Sequence, residues 1–177
     1  MKKLLIAVLL LIVGVTHAQL GIKGGANFSN IDGKIEGIKL ETRISYHIGA
    51  FWEIPIIEGL SLQPELLYSV QGADIDSSHP LDNVDLKYVN VPVMLKLYIM
   101  SHKLSIEAGP QFGYLTDHNL GNVIETEDFD FSLAGGISFY ITKNIFIQGR
   151  YIAGMSEFSK EAEVKNRNIQ LSLGIKF

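Results

Sequence analysis

The chain has 177 residues, no cysteine, 47% hydrophobic residues and a formal net charge of −4. That length allows one domain of ordinary size. The absence of cysteine excludes a disulfide framework and a lipoprotein-type anchor, and the acidic balance argues against nucleic acid, whose binders present basic patches.

The chain opens MKKLLIAVLLLIVGVTHAQ. Lys2 and Lys3 form a basic start, Leu4 to Val15 is an unbroken apolar run of twelve, and Ala18 places a small residue before Gln19. Residues 1–18 therefore read as a secretory signal peptide, too short for a spanning helix of about 20 residues. Residues 19–177 are expected to form a single domain. Without Lys2 and Lys3 it has 13 basic and 19 acidic residues, so 13 − 19 = −6. No later apolar run approaches the length of a spanning helix, but a membrane β-strand needs only about 9–11 alternating residues.

Period-two segments with turn residues between them fill the rest of the chain. They predict eight strands: Leu20–Phe28, Ile44–Ile54, Leu60–Val70, Leu86–Tyr98, Leu104–Tyr114, Phe129–Tyr140, Ile145–Ala153 and Arg167–Phe177. The connections alternate in length. Pro55–Gly59, Ile99–Lys103 and Ile141–Asn144 are short; Ser29–Arg43, Gly72–Asp85, Thr116–Asp128 and Gly154–Asn166 are long. An up-and-down antiparallel sheet gathers the short turns at one end and the long loops at the other, as transmembrane barrels do. An even strand count brings both termini to the short-turn, periplasmic side.

One face of the strands is apolar and uncharged, as in Ile44, Tyr46, Ile48, Ala50, Trp52 and Ile54. The other carries glycine, serine, amides and a balanced set of charges. Lys23, Lys96, Arg150 and Lys176 oppose Glu53, Glu65, Glu107 and Asp130. Alternation alone allows two barrels: a soluble, lipocalin-like barrel with its apolar face inside, or a membrane barrel with that face outside.

Two features favour the membrane. Aromatic residues on the apolar face gather near strand ends: Phe28, Tyr46, Tyr68, Tyr114, Phe129 and Tyr151 toward the long loops, and Trp52, Phe139 and Phe177 toward the short turns. Two lipid–water interfaces select such girdles. The polar face also suits an eight-stranded interior, only wide enough for side chains to fill, where glycine makes room and opposite charges compensate. The charge network expected inside is Lys23, Glu53, Glu65, Lys96, Glu107, Arg150 and Lys176. Counting from strand ends places Glu65 and Arg150 at mid-height and the other five toward the short-turn end.

Several stretches resemble the PorT-like outer-membrane β-barrel family of small eight-stranded proteins: GIKGGANFSNIDG, SLQPELLYSVQGA, LKYVNVPVMLKLYI and LSIEAGPQFGYL. The resemblance spans essentially the whole chain after residue 18. It departs at Asn90, where such proteins often carry an acidic residue before the Ile/Val-Pro. It implies a Gram-negative outer-membrane location and, through the founding member, a link to secretion and gliding-type machinery. The ending IQLSLGIKF is similar to the C-terminal signature of outer-membrane barrels. By that similarity Phe177 is an assembly signal read by the outer-membrane barrel assembly machinery.

The expected function is a structural or interaction role in the cell envelope, with a filled lumen and long loops presented to other envelope proteins. A small transporter or pore is the alternative. No nucleophile–base–orienter set is legible, so no enzyme, catalytic residue, cofactor or resident metal is expected. His47 reads as a hydrogen-bonded lumen histidine, and His79 and His118 as loop residues. The acidic segments Gly72–Asp85 and Thr116–Asp128 offer oxygen ligands of the kind calcium takes, but no EF-hand spacing, so a solvated acidic surface is the simpler reading.

Overall fold

The computed structural model describes residues 19–32, 40–75, 83–100, 103–118, 129–155 and 165–177. They form eight strands: β1 Gln19–Asp32, β2 Leu40–Ile57, β3 Leu60–Ile75, β4 Asn83–Ile99, β5 Leu104–His118, β6 Phe129–Tyr140, β7 Ile145–Gly154 and β8 Lys165–Lys176. Each pairs antiparallel with its sequence neighbours, and β8 pairs with β1 to close the barrel. The architecture is the expected all-β, up-and-down barrel. Closure leaves no open edge, which lipid would penalise through unpaired backbone groups.

The strands are longer than the alternation predicts, mostly at the long-loop end. β2 continues to pair with β3 as far as Leu40 with Ile75, and β3 with β4 as far as Asp74 with Asn83. Those segments lose the apolar alternation that marks a lipid-facing strand, so periodicity does not reveal them. Residues 1–18, expected to be a signal peptide, lie outside the described residues, as do residues 76–82 and 119–128 of the two acidic segments.

At the short-turn end, β2 and β3 meet in a two-residue turn in which Gly59 takes a left-handed φ of 80°, a conformation glycine adopts without steric cost. Between β6 and β7 the Thr142 hydroxyl accepts hydrogen bonds from the backbone N–H groups of Asn144 and Ile145 at 3.2 and 3.0 Å. Asn144 then pairs with β8 at Lys176 through both its side chain and its carbonyl, and Phe177 N–H donates to the Leu20 carbonyl at 2.8 Å. Phe177 is thus tied to β1, and Lys176 before it to the turn between β6 and β7.

The outer face carries the apolar set. Ile44, Ile48, Leu133, Ile137, Leu171 and Leu173 each stand about half exposed or more. A belt of bare aliphatic side chains around a whole barrel far exceeds the patches a water-soluble monomer tolerates; it fits hydrocarbon. Val70, which alternation places on this face, is buried beside the register shift between Thr42 and His47.

Candidate functional site: the barrel lumen

The seven charged residues expected inside the barrel are all largely enclosed. Their contacts divide them into two layers, and each layer draws its charges from alternate strands. In a barrel with tilted, staggered strands, side chains at one level come from every second strand.

The first layer uses β1, β3, β5 and β7. Arg150 on β7 reaches Glu65 on β3 through two parallel bonds, Nη1 to Oε2 and Nη2 to Oε1, each 2.8 Å. Its Nε donates to Glu107 on β5 at 2.8 Å. Lys23 on β1 lies 2.8 Å from Glu65 Oε2 and donates to Gln148 Oε1 at 2.9 Å. Gln148 in turn donates to both carboxylate oxygens of Glu107 at 3.0 Å. Two cations thus face two anions, with each charge held by several hydrogen bonds. Planar guanidinium geometry is what makes the two-pronged contact to Glu65 possible. Room for it comes from Gly136, where a Cβ would sit 3.1 Å from Glu107 Oε1 and 2.8 Å from the Gly149 carbonyl.

The second layer uses β2, β4, β6 and β8 for its charges and hydroxyls. Glu53 on β2 accepts from the Tyr98 hydroxyl on β4 and lies 3.5 Å from Lys176 Nζ on β8 and 3.9 Å from Lys96 Nζ on β4. The Tyr98 and Tyr140 hydroxyls are 2.9 Å apart. Lys96 stands over the rings of Tyr98, Tyr140 and Phe146 at 5.8, 5.5 and 5.1 Å, and Lys176 over Tyr98 and Tyr140 at 5.5 and 5.1 Å. Ring faces attract cations at these distances. Phe51 packs edge-on against Phe146 with centroids 5.7 Å apart. The two rings cover glycines: a Cβ on Gly21 would enter the Phe51 ring, and one on Gly174 the Phe146 ring. Gln63 joins the layers, donating to Glu65 at 2.7 Å and accepting from Lys96 at 2.8 Å.

This division corrects the expected one. Lys23 and Glu107 join Glu65 and Arg150, and only Glu53, Lys96 and Lys176 form the short-turn group. Counting residues from strand ends ignores strand tilt, which carries residues of equal count to different heights. Asp130, counted among the inner charges, accepts from Ser132 at 2.8 Å and makes no ion pair among the described residues. Alternation also missed the aromatic part of the second layer. Phe51, Tyr98, Tyr140 and Phe146 all face inward from within apolar runs such as Phe51-Trp52 and Ile145-Phe146-Ile147. The signal was available: carrying the strand phase through each run assigns these rings to the inner face.

Toward the long loops the filling continues. His47 Nδ1 lies 2.8 Å from Asn27 Oδ1 and Nε2 lies 2.8 Å from the Ser172 hydroxyl. The Asn27 amide nitrogen donates to Ser69 and to the Val70 carbonyl, so its oxygen faces the imidazole. Nδ1 is then the proton-bearing nitrogen, and Ser172 donates to Nε2. The order serine–histidine–asparagine is that of a nucleophile, a base and an orienting group. Here His47 and Asn27 are only 1% and 0% exposed, which leaves a substrate no approach to them. His47 therefore matches the hydrogen-bonded lumen histidine expected. Farther out, Leu86, Tyr88 and Leu115 form a buried apolar cluster.

The nine girdle aromatics, Phe28, Tyr46, Trp52, Tyr68, Tyr114, Phe129, Phe139, Tyr151 and Phe177, lie on the outward phase of their strands or at the chain end, and none of them is buried. Tyr46 and Tyr68 contact each other, with centroids 6.4 Å apart.

The profile of the family described as outer membrane protein beta-barrel domain matches residues 16–160. The chain belongs to that family. Its location is the outer membrane, and the exposed aliphatic belt is its lipid-facing surface. The match stops before β8, the strand that closes this member's barrel. Among solved structures, Ail, the attachment invasion locus protein of Yersinia pestis, superposes with a TM-score of 0.60 at 17% identity, over 90% of this chain and 99% of Ail. Neisserial surface protein A gives 0.60 at 11% identity over 90% and 99%. OprG from Pseudomonas aeruginosa gives 0.55 at 12% identity over 90% and 96%. At such identities the likeness is one of fold. No curated protein matches the sequence.

Proposed function

We propose that this outer-membrane barrel is sealed, and that it acts as a structural or interaction protein of the envelope rather than as a pore or an enzyme. The observation that carries the reading is the lumen. Two cross-linked layers, one of ion pairs and one of lysines on aromatic rings, occupy its width one above the other. Ions crossing them would have to break buried pairs whose separation costs about 3–5 kcal/mol each. The long-loop end is the surface this proposal assigns to protein partners.

The four long connections face the exterior in this proposal, and both termini face the periplasm. Single cysteines at Thr116 and Lys143 test the orientation. An impermeant thiol reagent on whole cells should label the first and spare the second; the opposite pattern would invert the topology. The PorT-like stretches, among them LKYVNVPVMLKLYI in β4, support membership of that narrower group and a role beside secretion machinery. Crosslinking from the long-loop end in intact cells, followed by identification of the captured proteins, tests that role. Planar-bilayer conductance distinguishes the sealed barrel from a small transporter or pore.

A further inference from the structure

At the short-turn end the lumen opens into a recess of about 920 Å³. Its floor is the second layer, where Lys96 and Lys176 face the single carboxylate of Glu53. That leaves a surplus of one positive charge in a largely enclosed place: the Lys96 side chain is fully buried and that of Lys176 only 12% exposed. The tyrosine and phenylalanine rings offset part of it, but a ring face is no substitute for an anion that hydrogen-bonds. At the rim stand Lys103 and Lys143, which have no side-chain partner among the described residues, against the lone carboxylate of Glu58. The recess is thus a cationic pocket in a chain whose net charge is −4. The tyrosine hydroxyls beside the lysines are already engaged, Tyr98 donating to Glu53 and Tyr140 to Tyr98, so the ammonium groups are the donors a ligand would meet.

We propose that this recess is a binding site for an anionic oxygen group, a phosphate or a carboxylate, held by Lys176 at its floor and drawn in by Lys103 and Lys143. The ligand supplies the counter-charge that the second layer lacks. Two sources present this chemistry, the headgroup of an acidic phospholipid in the adjoining leaflet and a free periplasmic solute.

The test is chemical-shift mapping by NMR on the full barrel in zwitterionic detergent, titrated with inorganic phosphate and with acetate against chloride at matched ionic strength. The expected result is a saturable perturbation confined to Tyr98, Tyr140, Lys143 and Lys176. In Lys176→Gln the affinity should fall about tenfold, the usual scale for losing one charge-assisted contact. Should that variant fail to fold, the Lys103→Gln/Lys143→Gln pair serves instead, because these exposed side chains support nothing, and a weakening of about threefold is expected. Nanodiscs of phosphatidylcholine with and without phosphatidylglycerol identify the source: shifts on adding phosphatidylglycerol alone point to the headgroup, and shifts with soluble phosphate or acetate alone point to a solute. No saturable shift above chloride in either medium, an unchanged response in the lysine variants, or shifts centred at the long-loop end would each overturn the proposal.

Discussion

The two lumen layers solve the same problem differently. The layer of Lys23, Glu65, Glu107 and Arg150 is electrically neutral, and the side chains of Glu65, Glu107, Arg150 and Lys23 are fully enclosed. The layer of Glu53, Lys96 and Lys176 carries a surplus cation, leans on aromatic faces and borders an open recess. Water explains the difference. Where none can reach, an uncompensated charge keeps its full desolvation cost, so every member needs an opposite partner. Beside a recess, ring faces offset part of the charge and a small anion can enter to offset the rest, so the layer can keep a cation that none of its own carboxylates balances.

The comparison can be broken most sharply at Glu65. Glu65→Ala leaves Arg150 and Lys23 sharing only Glu107, and the expected loss is about 3–5 kcal/mol of unfolding free energy. Urea titration of protein folded in lipid vesicles measures it. Gly174→Ala strikes the other layer through packing. Its methyl would occupy the space of the Phe146 ring, and displacing that ring should cost about 1–3 kcal/mol. Glu53→Ala in the same assay should cost about 1–2 kcal/mol, because Lys96 retains Gln63 and its three rings while Lys176 turns to water. A Glu53 variant as damaging as the Glu65 variant would erase the proposed distinction.

The smallest effect is expected at the chain end. Phe177 is 67% exposed, one ring among the girdles. Its deletion should change stability in vesicles by about 1 kcal/mol or less. The same deletion in cells should delay assembly and leave protein in the periplasm, as expected of a residue read during insertion. Equal behaviour of the deletion and the parent in cells would remove that role.

Much of this architecture is legible in the sequence, for a physical reason. A period of two assigns inner and outer faces residue by residue, and a closed barrel has only two faces to fill. So Lys23, Glu65 and Arg150 are readable as lumen residues, and Trp52 and Tyr151 as girdle residues. What period cannot supply is height. Contacts across the lumen depend on strand tilt and stagger, which belong to the closed barrel and not to any one strand. That is why Glu107, the register partner of Lys96, is expected to share its layer and instead turns its carboxylate to Arg150. Runs such as Ile145-Phe146-Ile147 conceal the inward aromatic between two outward aliphatics, so the ring layer is hidden although its phase is fixed.

The central claim is that both layers together seal the lumen, and conductance tests it most directly. Purified barrel in planar bilayers should give no steady current above the bare-membrane baseline. Glu65→Ala with Glu53→Ala, which opens both layers at once, should give measurable openings if the double variant folds. A stable, porin-sized conductance from the unaltered protein would contradict the account.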